Sequence, residues 1–368
     1  MDILAAVTPA QSEDFSVETI QIDDPRPGEV RVKVIATGMC HTDLVVRDQY
    51  LPVPLPAVLG HEAAGIVDTV GVGVLKLKPG DHVVMTFDSC HHCSGCHEGD
   101  TVYCDDFLGV NLLSAARPDG STTLSRNGEV IHSNFFQQSS FATYAMGTEE
   151  SVIKVPKDVD LEILGPLGCG IQTGAGAVMN SLAPEAGSTI AVFGAGSVGL
   201  SAIMAARVVG CSKIIAVDLN AGRLEMAKEL GATHTLNPGD GDVVEAIRSI
   251  TGGGGVNYSL EATAISTVFR QAVDCLALRG VCGLIGLPPA GTEVTLDMVH
   301  LLLGRSVRGI VEGDSKPDTF IPKLIELYRQ GRFPFDKLIS FYDLKDINQA
   351  AQDSETGVVI KPILRMPH

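Results

Sequence analysis

A two-domain α/β protein is expected, with a β-rich domain followed by a doubly wound parallel sheet. Three observations predict it. The chain has 368 residues, too many for one ordinary domain. Its first 150 residues carry short β-rich runs broken by Gly/Pro turns. From Ser188 onward, apolar strands and helical stretches alternate, the order that builds a parallel sheet with helical crossovers.

The elements follow in order. Residues 30–36, 64–70 and 81–86 read as strands, separated by turns such as Arg26-Pro27-Gly28 and Lys78-Pro79-Gly80. Residues 105–138 are polar with little periodicity and read as loop. Then come a strand at Thr189–Phe193, a helix at 196–209, a strand at 213–218 and a helix at Ala221–Leu230. Further strands fall near 233–236, Val256–Glu261, 281–287 and 307–311, with helices at Val243–Ile250 and 266–278. The alternation stops near residue 312, after which 320–329 reads as a helix and 358–364 as a strand.

Composition narrows the function. With 45% hydrophobic and 19% charged residues, the chain can bury a sizeable core. Its formal charge of −17 is the wrong sign for a nucleic-acid or anionic-membrane surface. No run of about 18 apolar residues is present to span a bilayer, and the acidic start is unlike a secretory leader. A reducing, cytoplasmic setting is expected. There, the nine cysteines point to metal binding or chemistry more than to disulfides.

Gly194-Ala195-Gly196-Ser197-Val198-Gly199 follows a strand and opens a helix. The first glycine makes the tight turn, the second admits a pyrophosphate to the backbone, and the third lets helix pack on strand. The phosphates would then sit at a positive helix end. Asp218 closes the next strand, placed to bond both adenosine ribose hydroxyls and to repel a 2′-phosphate. NAD is therefore expected over NADP.

Cys90, Cys93, Cys96 and Cys104 lie close enough in sequence for a short loop to wrap one ion. Four thiolates suit a closed, structural Zn²⁺. An Fe–S cluster would also take them, but nothing else in the chain calls for its redox chemistry. His91, His92 and His97 could compete as ligands and are read as solvated loop residues. Cys40, His61 and Cys169 are unremarkable singly. Each sits in a suggestive setting: Gly38-Met39-Cys40-His41-Thr42-Asp43, Gly60-His61-Glu62 and Gly168-Cys169-Gly170.

These motifs, with the Ile360-Lys361-Pro362 tail, resemble the zinc-dependent medium-chain alcohol dehydrogenase family over essentially the whole chain. A Cys₂His set with an open fourth position is itself the alcohol dehydrogenase arrangement, so matching it is a resemblance and not a deduction. Within the family, the wording around residues 165–174 and 320–341 is similar to bacterial benzyl or aryl-alcohol dehydrogenases, and shares much with terpenoid alcohol dehydrogenases such as those acting on geraniol.

The resemblance implies a GroES-like catalytic domain over residues 1–171 and 312–368, and a Rossmann NAD-binding domain over 172–311. It implies Cys40, His61 and Cys169 as catalytic zinc ligands, with Glu62 and Asp43 as outer carboxylates and Asp43 orienting His61. Thr42 would accept the alcohol's proton, and hydride would pass to the nicotinamide across the cleft between domains. Thr173 and Val198 would lie beside the nicotinamide ring, and Arg223 and Lys361 would contact the cofactor's ribose or pyrophosphate. The expected cofactors are NAD and two zinc ions per chain. The expected activity is reversible oxidation of primary aromatic or allylic alcohols to aldehydes by a homo-oligomer, a dimer or tetramer. Dehydrogenation of S-(hydroxymethyl)glutathione on the same fold is the near alternative, and a non-catalytic NAD-binding protein the remote one. One departure stands out: Val45 occupies the place of the family's outer relay histidine. His41, beside Cys40, is a candidate to take over part of that base role.

Overall fold

The computed structural model describes all 368 residues. The chain divides into two compact units. The first comprises Met1–Cys169, Lys316–Lys323 and Asp336–His368, and the second Gly170–Ser315 and Leu324–Phe335.

The first unit opens with β1 (Asp2–Thr8), β2 (Ser16–Ile22), β3 (Glu29–Gly38), helix α1 (His41–Arg47), β4 (Ala57–Val58), β5 (Glu62–Val70) and β6 (His82–Met85). It continues through α2 (Ser94–Glu98), β7 (Leu124–Arg126), β8 (Glu129–Ile131), β9 (Tyr144–Thr148) and β10 (Val152–Lys154). One sheet runs β4-β1-β2-β7-β8 and is antiparallel. β3 is the hub of the other, pairing with β5 and β9 and with a strand from the chain's end. Its residues are buried along most of their length, as a central strand requires.

The second unit contains α3 (Gly170–Gly176), β11 (Thr189–Phe193), α4 (Ser197–Val209), β12 (Lys213–Val217), α5 (Ala221–Leu230), β13 (His234–Leu236) and α6 (Val243–Ile250). Then come β14 (Val256–Glu261), α7 (Ser266–Asp274), β15 (Leu276–Leu284), α8 (Met298–Leu302) and β16 (Ser306–Gly309). The strands form one parallel sheet, β13-β12-β11-β14-β15-β16, the doubly wound order expected. β11 is buried on both faces, and Phe193, Val217, Ile247 and Val273 meet in the core beneath it. Local signals set the helix ends. The Asn220 side chain caps α5 and Asp242 caps α6, while Gly210 ends α4 in the left-handed region. The last elements are α9 (Pro317–Arg329), β17 (Ile339–Asp343), α10 (Ile347–Glu355) and β18 (Lys361–Arg365). β18 inserts between β3 and β17. No helix is long and apolar enough to cross a membrane.

Three expectations need correction. Residues 105–138 are not simply loop. They hold a π-helical turn at Gly109–Leu113, the β7–β8 hairpin and a short 3₁₀ turn at Phe135–Gln137. Polar side chains hold these pieces, which is why no apolar period marks them. Buried Asn111 bonds Asp88 on both its main-chain groups, and buried Arg117 forks onto Glu29 at 2.7 and 2.9 Å and reaches Asp23 at 2.9 Å. The helix expected to 278 ends at Asp274, because β15 begins at Leu276. Leu324–Phe335, placed with the first domain by the sequence, packs in the second unit, where Tyr328 and Phe333 contact Phe335 and Arg332 reaches the Val208 carbonyl. Of the three cysteines outside the two expected ligand sets, Cys275 and Cys282 are buried core thiols and Cys211 is half-buried.

Candidate active site and metal centres

The ligand atoms of Cys40, His61, Glu62 and Cys169 all lie within 4.8 Å of one another. Glycines bring them together. A Cβ at Gly165 would lie 2.1 Å from the Glu62 carbonyl oxygen, and one at Gly168 would lie 2.0 Å from the Met85 carbonyl oxygen. Only glycine lets the segment carrying Cys169 press against β5 and β6 in this way. The Thr86 hydroxyl then donates to the Gly168 carbonyl at 2.7 Å. Cys40 is supplied by the N-terminal end of α1, and His61 by the residue before β5.

Asp43 organises two of these ligands. One of its oxygens accepts from the Cys40 amide at 2.8 Å. The other accepts from the Gly60 amide at 3.0 Å and pairs with His61 Nδ1 at 2.8 Å. His61 Nε2 is left buried and without a hydrogen-bond partner, facing the thiols. An orphaned imidazole nitrogen beside two thiols and a carboxylate fits a bound metal. Electrostatics agree. Burial opposes a charge on His61, but Asp43 and Cys40 outweigh it and hold the imidazole pKa well above its usual value. Cys40 is pulled well below the usual thiol range, chiefly by its hydrogen bond with Cys169. Thiols and an imidazole bind a metal in their deprotonated forms, so a dication here would displace protons from these groups.

Phe136 and Gln138 were not legible as site residues. The Phe136 ring stacks on His61 at 4.5 Å, and Phe135 meets its edge at 5.4 Å. The Gln138 side chain donates to the His61 carbonyl at 2.9 Å and accepts from the Ala63 amide at 3.2 Å. These residues come from the stretch read as loop. Asn134, Phe136, Gln137 and Ser139 there adopt positive φ, a conformation no apolar period marks.

Lys361 is corrected. It was expected on the cofactor, but it is buried. Its ammonium donates to both Glu62 oxygens at 2.9 Å and to the Met39 carbonyl at 3.2 Å, which uses its three donors. Burial disfavours its charge, and Glu62 more than restores it, so its pKa is raised. Burial likewise pushes Glu62 up, against the pull of Lys361. Thr42 is half-buried, its hydroxyl 3.8 Å from the Cys40 sulfur, while His41 is exposed and Val45 half-buried.

The second cluster is Cys90, Cys93, Cys96 and Cys104, again with ligand atoms mutually within 4.8 Å. The Cys90 and Cys96 sulfurs are 3.9 Å apart, close to the roughly 3.8 Å edge of a tetrahedron with about 2.3 Å Zn–S bonds. His91 pairs with Asp88 at 2.6 Å and His92 with the Cys90 carbonyl at 2.6 Å. All three lobe histidines are exposed and lie outside the four-sulfur set. The thiols titrate unequally. The Asp105 amide pulls Cys93 down to about 6, while burial pushes Cys104 up to about 12. Four thiolates so close need a cation to neutralise them, and the donor set fits zinc.

In the second unit, the glycine loop sits between β11 and α4. Gly194 has φ +95°, and a Cβ on Gly199 would lie 1.8 Å from the Gly194 carbonyl oxygen. A Cβ on Gly196 would meet nothing within 4 Å, so the backbone there is open to a ligand at the start of α4. Ser197 and Val198 form the first turn of α4. Asp218 accepts from the Ala195 amide at 2.7 Å and the Asn220 amide at 2.8 Å, which ties the end of β12 to the loop. Arg223 Nε is buried and unpartnered. α3 presses its Gly174 onto the Val198 carbonyl, which brings the neighbouring Thr173 to the same turn. The Thr173 hydroxyl donates to Glu312 at 3.1 Å. An open glycine cradle with an orphaned guanidinium nitrogen fits a dinucleotide.

Comparisons with known proteins agree with this arrangement. Residues 26–157 match the alcohol dehydrogenase GroES-like domain, and residues 197–330 match the zinc-binding dehydrogenase domain. Geraniol dehydrogenase of Castellaniella defragrans is 46% identical over 363 residues, 98% of this chain and 96% of that protein. The chain belongs to the zinc-dependent medium-chain alcohol dehydrogenases. Two solved structures share the fold over all of both chains. Benzyl alcohol dehydrogenase from Acinetobacter calcoaceticus is 50% identical with a TM-score of 0.97. An alcohol dehydrogenase zinc-binding domain protein from Burkholderia ambifaria is 56% identical with a TM-score of 0.98. The enzyme's two cysteine sets and glycine loop fall within or beside the matched domains.

Proposed function

We propose that this alcohol dehydrogenase oxidises primary aromatic or allylic alcohols to aldehydes, using NAD⁺ and two zinc ions per chain. The observation that carries the reading is the Cys40–His61–Cys169 set, with the orphaned His61 Nε2 turned toward two thiols. The substrate class is supported by the benzyl alcohol and geraniol dehydrogenases named above. NAD over NADP is supported by Asp218, whose carboxylate would repel a 2′-phosphate.

Cys40, His61 and Cys169 would hold the catalytic ion, and Cys90, Cys93, Cys96 and Cys104 the structural one. When bound, the catalytic zinc supplies Lewis acidity toward the alcohol oxygen, and NAD⁺ supplies the hydride acceptor. The chain's own residues do the rest. Asp43 keeps His61 Nδ1 engaged, so Nε2 is the ligating nitrogen. Glu62, held by Lys361, keeps a balanced pair of charges behind the ligands. Thr42 accepts the hydroxyl proton. His41, exposed at the start of α1, takes it onward in place of the relay histidine that Val45 replaces. An unchanged turnover and pH profile in H41R would refute that last role.

The assembly is a homo-oligomer built on a two-fold dimer. β16 is an outer strand of its sheet with every residue exposed, and Met298 and Leu302 of α8 are 83% and 82% exposed. A bare strand edge flanked by apolar residues is complementary to a second copy of itself turned about a two-fold axis. None of the nine cysteines is joined in a disulfide, which supports a reducing, cytoplasmic location.

The deciding experiment is a panel of benzyl, cinnamyl, geranyl and short aliphatic alcohols with NAD⁺ and NADP⁺, with and without glutathione. Fastest turnover of benzyl, cinnamyl or geranyl alcohol with NAD⁺ alone is expected. A requirement for glutathione would replace this reading. Metal analysis should return two zinc ions per chain.

A further inference from the structure

The dinucleotide reading leaves one buried acid without a task. Glu261 ends β14, near the middle of the second unit's sheet, and is wholly buried. A buried carboxylate is costly unless its oxygens are hydrogen-bonded. Oε1 accepts from the Thr263 amide at 2.6 Å and from the Thr263 hydroxyl, and Oε2 accepts from the Ala264 amide at 3.3 Å. These donors are neutral. They fold the segment after β14 into a tight knot, in which Ala264 adopts φ +61° and the Ile265 amide donates to the Thr263 hydroxyl at 3.2 Å.

The same residue reaches two further connections. Its main-chain oxygen accepts from the amides of Ile285 and Gly286, at 3.0 and 3.1 Å, just past the end of β15. A Cβ on Gly286 would lie 2.4 Å from the Ala264 nitrogen and 2.7 Å from Glu261 Oε2, so the two connections are packed without slack. On the other side, the atom nearest a Cβ on Gly194 would be the Thr263 methyl, at 2.9 Å. Thr263, held by the carboxylate, is thus a wall of the phosphate loop. β11 and β14 are neighbours in the sheet and their helical crossovers lead to opposite ends of it, so the crevice at their carboxyl ends is the topological switch point where dinucleotides bind.

We propose that Glu261 is the positioning residue of the dinucleotide crevice. It locks the connections after β14 and β15 together and, through Thr263, fixes how far the phosphate loop can open. It acts on cofactor affinity and not on alcohol binding. The proposal rests on the dinucleotide reading above. A carboxylate is required because three donors converge on two oxygens. In a glutamine, the amide nitrogen would face a backbone N–H or the Thr263 hydroxyl.

The test compares wild type, Glu261→Gln and Thr263→Val by NADH fluorescence titration, and by hydrogen exchange of the cofactor-free chain. Thr263→Val keeps the methyl against Gly194 and replaces the hydroxyl with a second methyl. For Glu261→Gln, Kd for NADH should rise about tenfold and KM for NAD⁺ with it, while KM for the alcohol at saturating NAD⁺ stays put. Amides of residues 194–196, 262–265 and 285–286 should lose protection together. Thr263→Val should weaken NADH about threefold. Wild-type affinity in Glu261→Gln overturns the proposal, as does faster exchange confined to residues 262–265. If Glu261→Gln does not fold, unchanged affinity in Thr263→Val overturns it. A wild-type chain that binds neither NADH nor NADPH overturns the dinucleotide reading and the proposal with it. Tight wild-type binding with an indifferent Glu261→Gln overturns the proposal alone.

Discussion

His61 is gripped by Asp43 on Nδ1, by the Phe136 ring on one face and by Gln138 on its carbonyl, which leaves one nitrogen for a metal. Asp43→Asn tests the first grip. An amide cannot accept from Cys40 N–H, Gly60 N–H and His61 Nδ1–H at once, so one donor would face the NH₂ group. Loss of about 10- to 100-fold in catalytic-zinc retention against a chelator is expected, with the four-cysteine ion unaffected. At this scale, the residues that the fold gathers into two clusters were legible because thiols and imidazoles in glycine-rich settings are rare and several occur together. Lys361 was misread because its partner, Glu62, lies 299 positions away and nothing local marks the pair. Gln138 and Glu261 were invisible for a related reason. Their roles rest on hydrogen bonds to main-chain groups, and such bonds have no side-chain signature.

Among elements, those from β11 to β14 were legible nearly to the residue, since parallel strands buried on both faces and capped helices each leave a pattern, whereas β15 begins five residues before the strand expected at 281 and α8 left no signal. The 105–138 stretch left none, because Arg117 and Asn111 stand in for an apolar face. Arg117→Ala should cost about 3 kcal/mol in thermal or denaturant unfolding, because Glu29 would be left part-buried without its cation. Limited proteolysis should then cut within 105–138 first. The four-cysteine lobe offers a pH-resolved check. In metal-stripped protein at pH 7, Cys93, held down to about 6, is mostly thiolate, while Cys104, pushed up to about 12, is thiol. Alkylation should mark Cys93 first, with a rate that is half-maximal near pH 6 and levels off about a unit above it. Zinc should protect both. Equal labelling of Cys93 and Cys104 would contradict this ordering.

For the whole molecule, the exposed β16 edge and α8 predict that Leu302→Asp, combined with Met298→Asp, halves the mass seen by light scattering while both zinc ions remain bound. Mass unchanged from wild type would place the subunit contact elsewhere. The first unit also has a history written into its sheet. β18, which carries Lys361, completes the sheet beside β3, yet it follows the entire second unit in the chain. Synthesis at about 5–20 residues per second leaves Glu62 without its lysine for roughly 15–60 seconds. Cys169 is made within that interval, and from then until Lys361 emerges Cys40, His61 and Cys169 are all present while the acid beside them has no cation. A ribosome stalled before residue 361 should therefore expose a nascent chain whose catalytic ligands hold zinc differently from the finished enzyme. Activity is expected to appear only when the last strand closes the sheet.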